Sequence, residues 1–123
     1  MLNKIHKIAV ITDDVEGAVE FYTQTMGLKV SERLPNENDE DFVFMVDRDG
    51  FILELMPQKT MDAPLGFHHI SFKEEDIYQT AEAMKAKGMA FAVEPQSAGV
   101  AGIHLGFLNG PNDVLLQLFH RKQ

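Results

Sequence analysis

Cysteine and tryptophan are both missing from the 123 residues. Without thiols there is no disulfide framework, no thiolate nucleophile and no cysteine-ligated zinc. No apolar run approaches the roughly 18 residues that argue for a membrane-spanning helix. The opening Met-Leu-Asn-Lys-Ile-His-Lys does not read as a signal peptide, so a soluble, cytoplasmic chain is expected. Positive charge is scarce, with 11 Lys and Arg against 19 Asp and Glu and a net charge of −8. Nucleic-acid binding needs a basic surface that displaces counterions, so that class is excluded. The same charge mildly favours cationic ligands by steering.

What is present is ordinary for a globular protein: 45% hydrophobic and 24% charged residues, on a chain long enough for one real core. It also carries an internal echo. Gly66-Phe67-His68-His69-Ile70-Ser71-Phe72, running into Asp76-Ile77, repeats Ile5-His6-Lys7-Ile8-Ala9-Val10, running into Asp14-Val15. A shift of 62 residues pairs His6 with His68, Lys7 with His69, Asp14 with Asp76 and Val15 with Ile77. One supersecondary unit is written twice.

Each copy has the same order of signals. Lys4 to Thr12 is short, apolar and β-branched, as a strand should be. Asp13 (or Thr12) can cap a helix, with Glu16 placed for a capping box. Val15, Ala18, Val19, Tyr22 and Met26 then form a helical stripe, stopped by Gly27. Strands follow at Leu28 to Arg33, Asp41 to Val46 and Phe51 to Met56, the last two joined by the hairpin signal Asp49-Gly50. The run Asn36-Glu37-Asn38-Asp39-Glu40-Asp41 reads as a solvated loop. Residues 58–65 read as a linker. The second copy then gives a strand over Phe67 to Phe72 and a helix from Asp76 to the stop at Gly88. Its further strands are Met89 to Val93, ended by Glu94-Pro95, then Ile103 to Leu108 and Val114 to Phe119. The expected fold class is α+β: two βαβββ repeats, each a half-barrel sheet, around a shared cavity with helices outside. The domain plan is one domain over 1–123, with repeats at 1–57 and 66–123.

Four polar residues stand out against this frame. Glu54 is the only ionisable group in its apolar strand, and Gln117 is the only polar side chain in Val114-Leu115-Leu116-Gln117-Leu118-Phe119. They lie 63 residues apart, one off the repeat shift. Lys7 and His69 begin the first strand of each copy. By strand alternation these four would converge in the cavity. Three are types that bind a divalent metal or move protons. Each also has an ordinary structural reading: an edge carboxylate in water, a hydrogen-bonded histidine, a glutamine satisfying backbone.

The segments Ile8-Ala9-Val10, Asp14-Val15-Glu16, Phe21-Tyr22, Met26-Gly27-Leu28, Ile52-Leu53-Glu54-Leu55, His69-Ile70-Ser71-Phe72 and Phe107-Leu108-Asn109-Gly110-Pro111 together resemble the vicinal oxygen chelate superfamily. That superfamily includes glyoxalase I, methylmalonyl-CoA epimerase, extradiol dioxygenases and bleomycin resistance proteins. The resemblance implies a glyoxalase-like lyase or isomerase acting on a small, oxygen-rich substrate through a divalent metal (Ni, Zn, Mn, Co or Fe). Glu54, His69 and Gln117 would hold it, and Glu54 would be the catalytic proton shuttle. The alternative it implies is a metal-free protein that sequesters a small molecule. The first ligand position falls on Lys7 and not on a histidine. Three arrangements then stand open: a deprotonated Lys7, a bulge that brings His6 inward, or Lys7 paired with Glu54 in the metal's place. A homodimer is implied as well, compatible with the seven methionines and the apolar last strand. His104, His120, Arg121 and Lys122 read as structural or solvated. The acidic loop and the stretch 98–102 hold equivalent places and could close over a ligand.

Overall fold

Nine residues, Lys4–Thr12, form the first strand (β1), burying Lys7, Ala9 and Ile11 in strict alternation. The computed structural model describes residues 4–36, 38 and 40–122; Glu37 and Asp39 of the acidic run lie outside the described residues. After β1 come α1 (Val15–Gln24), β2 (Lys29–Leu34), β3 (Phe42–Val46) and β4 (Ile52–Pro57). A helical turn, α2 (Gln58–Met61), precedes β5 (Gly66–Lys73), α3 (Ile77–Ala86), β6 (Phe91–Ser97), β7 (Ile103–Asn109) and β8 (Leu115–Arg121). This is the βαβββ order twice, in the α+β class. Among the described residues no helix is long and apolar enough to cross a membrane.

Both long helices start on an aspartate. Asp76 Oδ1 accepts from the Gln79 N–H at 3.0 Å, as the repeat predicts. In α1 the cap is Asp14, whose Oδ1 accepts from the Gly17 N–H at 3.0 Å, and not Asp13 or Thr12. The Thr12 hydroxyl accepts from the Asp14 N–H at 3.1 Å, which moves the helix start one residue on. Glu16 thus closes no capping box; its carboxylate takes both ends of the Arg33 guanidinium at 2.8 and 3.0 Å. At the far ends, Gly27 (φ 79°) and Gly88 (φ 92°) adopt left-handed backbone that a side chain would strain.

The chain divides into two units. One runs from Lys7 to His68; the other joins residues up to His6 with those from His69 onward. In the first, the strand order is β2-β3-β4-β1, with β1 parallel to β4 in unbroken register from Lys7↔Ile52 to Thr12↔Pro57. One face packs Val15, Val43, Met45 and Leu55 under α1, with Val19 and Tyr22 against them. On the other face Ala9, Ile11 and Met56 pack with Phe42 and Met61. Residues 58–65, expected to be a plain linker, carry α2, closed by Asp62 at φ 48°. The Thr60 hydroxyl there donates to Asn36 Oδ1 and accepts from Asn38 Nδ2, each at 3.1 Å. The described part of the acidic run is therefore tied to α2.

In the second unit the order is β5-β8-β7-β6, with β5 parallel to β8 from Ile70↔Leu116 to Lys73↔Phe119. Ile77 and Ala81 of α3 pack on Leu108 and Leu118, joined by Phe72, Met84, Phe91 and Leu116. β6 departs from expectation by running through Glu94-Pro95 to Ser97. Proline is tolerated because β6 is an edge strand and its register slips between Val93 and Gln96. Gly106 on β7 makes room: a Cβ there would meet Pro95 Cα, Pro95 N and the Val93 carbonyl, all at 3.1 Å.

Candidate active site

Parallel register fixes what Lys7 and Glu54 can reach. Glu54 on β4 stands opposite Ala9 on β1 and opposite Phe44 on β3, so neither cross-strand neighbour offers it a side-chain donor. Lys7, two residues before Ala9 on the same face, reaches across. Its Nζ donates to Glu54 Oε1 at 2.9 Å. Both residues are buried, Lys7 at 1% and Glu54 at 7% exposure. A lysine stem usually lets its ammonium snorkel to water; this one is turned into the fold.

Burial pushes the Lys7 ammonium below the ordinary lysine value, and the Glu54 charge and hydrogen bond oppose that shift. Half-buried His68, in the same unit, is also pushed down from 6.5 by burial, while Glu54 pulls it back. His68 therefore belongs to the electrostatic surroundings of Glu54. Strand alternation turns it away from His69, and on that ground sequence reasoning passed it over.

The second unit repeats the register with different chemistry. Gln117 on β8 stands opposite Ser71 on β5, as Glu54 stands opposite Ala9. Here the opposite residue has a donor, and the Ser71 hydroxyl donates to Gln117 Oε1 at 2.8 Å. Buried His69 sets its ring edge-on to Phe107, with centroids 5.1 Å apart. His6 stacks against Phe119 at 4.7 Å. The β1–β4 ladder has no register shift from Lys7 onward, so it contains no bulge of the kind that would exchange His6 for Lys7.

A sequence model of the Glyoxalase/Bleomycin resistance protein/Dioxygenase superfamily matches residues 4–118. The chain belongs to this superfamily. Its relatives include a Vibrio cholerae protein named "Probable lactoylglutathione lyase", 30% identical over 119 residues, covering 89% of this chain and 85% of that protein. Human mitochondrial methylmalonyl-CoA epimerase is 27% identical, over 95% of this chain and 73% of its own. Among solved structures, a Streptomyces coelicolor methylmalonyl-CoA epimerase in complex with 2-nitronate-propionyl-CoA superposes with a TM-score of 0.76 at 25% identity, covering all of both chains. These named relatives are enzymes, of lyase and epimerase type, in line with the enzyme reading of the sequence.

The divalent ion implied by the superfamily resemblance can be tested against these residues. An ion on the Glu54 carboxylate would sit about 2.0–2.2 Å from an oxygen. Glu54 Oε1 already takes an ammonium at 2.9 Å. Two positive charges about 4 Å apart repel by about 4 kcal/mol per unit charge at an effective dielectric of 20. Gln117 Oε1, the other oxygen donor, accepts the Ser71 hydroxyl. Among the described residues, no group of three or more His, Asp or Glu could hold a metal. With the Lys7 ammonium on it, the Glu54 carboxylate does not fit a divalent ion.

His104 and His120, read from the sequence as structural or solvated, both have hydrogen-bond partners. They are cross-strand partners on β7 and β8, and with Glu75, Asp76, Ile77, Tyr78 and Lys122 they line a cavity of about 220 Å³ in the second unit. His104 Nδ1 shares a 2.8 Å hydrogen bond with the Tyr78 hydroxyl. His120 Nδ1 donates to the Glu74 carbonyl at 3.0 Å.

Proposed function

We propose that the protein is a lyase- or epimerase-type enzyme that moves a proton on carbon next to a carbonyl, with Glu54 as the group that carries it. The observation behind this reading is a carboxylate held in a buried strand position by a buried ammonium, in a chain related to enzymes of these names. In the proposed step a C–H bond breaks and the proton passes to Glu54. The electron pair moves toward the carbonyl oxygen, and reprotonation at the same or a neighbouring carbon completes the isomerisation.

The substrate class we infer is a small acyl compound with neighbouring oxygens, carried as a thioester or formed from a thiol adduct. The coenzyme A ligand of the Streptomyces neighbour supports it. Sequestration without turnover draws no support from the named relatives. We further infer a single functional domain, with the family match over 4–118 in support. A homodimer and a cytoplasmic setting complete the proposal. The exposed apolar side chains Phe21, Met26 and Phe51 support the first, and the bacterial Vibrio relative supports the second.

The experiment is proton exchange with deuterated water, followed by NMR on methylmalonyl-CoA and on the hemithioacetal of methylglyoxal and glutathione. Exchange or isomerisation lost in Glu54→Gln is the expected result. Turnover that survives Glu54→Gln would show that another group carries the proton.

A further inference from the structure

Lys7 is among the largest fully buried side chains of the molecule. A strand position facing this way is normally filled by an apolar residue, as Ala9 and Ile11 fill theirs on the same face. A methionine or leucine would pack at Lys7 without bringing a charge out of water. The lysine instead sends its stem along the sheet and ends 2.9 Å from the one carboxylate of β4. What its position achieves is a fixed positive charge on Glu54.

We propose that Lys7 is a built-in replacement for a metal ion: its ammonium occupies the cation place at Glu54, so that the site works without a divalent ion and excludes one. This rests on the reading of Glu54 as the proton-moving group. The geometry is that of a cation contact, one N–H directed at a carboxylate oxygen at charge-assisted distance. An ammonium differs from a divalent ion in ways that matter. It carries half the charge, and it meets oxygen through N–H donors and not through coordination. It would therefore stabilise negative charge on a substrate oxygen by hydrogen bonding. It also arrives with the polypeptide, so the donor at Glu54 comes with the fold itself. Lys7 is thus a positioning residue for Glu54. A purely structural lysine would not govern whether Glu54 can take up an external cation, and that separates the two roles.

The test is ion uptake, which does not depend on turnover. Tag-free protein is stripped with chelator, equilibrated with nickel or zinc, desalted and assayed for bound metal. The set is wild type, Lys7→Ala, the volume-keeping Lys7→Gln, and each Lys7 variant combined with Glu54→Gln. Wild type is expected to retain only traces. Lys7→Ala or Lys7→Gln should gain close to one ion per chain and lose it again when Glu54→Gln is added. Should the alanine variant fail to fold, as judged by circular dichroism, the glutamine variant and wild type carry the comparison. Stoichiometric metal in wild type that disappears in Glu54→Gln overturns the proposal. So does the absence of uptake in every folded Lys7 variant, since Glu54 would then be no cation place at all. A separate failure to find turnover on any substrate would count against the enzyme reading and leave the uptake result standing.

Discussion

Glu54 lies directly opposite Ala9 in the β1–β4 ladder, yet its hydrogen bond comes from Lys7, two residues earlier on the same strand. A buried pair of this kind adds little net stability, because the attraction offsets a desolvation cost of several kcal/mol per ion. Breaking it is a different matter, since the surviving charge stays buried. Lys7→Ala and Glu54→Ala should each cost about 3–5 kcal/mol in urea unfolding. The double variant should cost clearly less than the two together. Strict additivity would show that the two side chains do not interact in solution.

Activity should be more sensitive to Glu54 than stability is. Glu54→Gln keeps the shape and an oxygen for the Lys7 ammonium but removes the base. Proton exchange is expected to fall by about 10²–10⁴-fold, the usual weight of a positioned general base. The melting temperature should fall less than in Glu54→Ala, since an acceptor for the buried Lys7 remains. A large fall in melting temperature with unchanged exchange would reverse this assignment.

His68 supplies a pH dependence whose sign is fixed. Its folded-state value lies below the ordinary 6.5, with burial as the main cause. Between the two values the unfolded chain binds more protons, so His68 contributes stability that is full above about 6.5 and declines as pH falls toward its folded value. Replacing it with the neutral His68→Asn should flatten the acid-side decline of the urea midpoint relative to wild type. Parallel pH profiles for the two proteins would show that His68 titrates normally in the fold.

The tight crossing at Gly106 predicts a steric cost. Gly106→Ala places a methyl 3.1 Å from backbone atoms of Pro95 and Val93, which cannot rotate away. Overpacking of this sort costs about 1–3 kcal/mol. Gly50→Ala is no control, because Gly50 sits at φ 88° and would suffer from its backbone conformation instead. Chemical denaturation of Gly106→Ala, with and without Pro95→Ala, reads the effect. No loss in Gly106→Ala would mean β6 moves aside freely.

Asp14 and Asp13 should part company. Asp14→Ala removes the oxygen that caps α1 and is expected to cost about 1 kcal/mol. Asp13→Ala, one residue earlier and exposed, should be close to neutral. Equal losses on thermal melting would place the cap elsewhere.

That contrast shows where the sequence was legible. Strand and helix periods, the glycine stops and the 62-residue echo carried the βαβββ order, because each is a local pattern written twice. Thr12, Asp13 and Asp14 are all capping residues, and only the Thr12 turn chooses among them. The echo paired Asp14 with Asp76, and following it would have settled the choice. The Lys7–Glu54 contact was one of three readings, because the parallel register that sets Glu54 against Ala9 comes from non-neighbouring strands and has no local signal. The same register makes Glu54 and Gln117 equivalent despite their 63-residue spacing: each stands opposite the residue two after Lys7 or His69, and the second copy has one residue more between its paired strands. His68 escaped because alternation along β5 says which face a side chain takes, and nothing about how far a charge is felt.

Pro95 has a consequence for the outer rim of its unit. A bare strand edge displays a row of N–H and C=O groups on which another chain can lengthen the sheet. β6 lacks the N–H of Pro95 and slips register on both sides of Val93, so its outer rim offers no even ladder to copy. Uncontrolled strand-by-strand growth into fibres is blocked at that rim. Any pairing of two copies is then steered toward side-chain surfaces, where partner choice is written in residue identity and not in the backbone common to every protein.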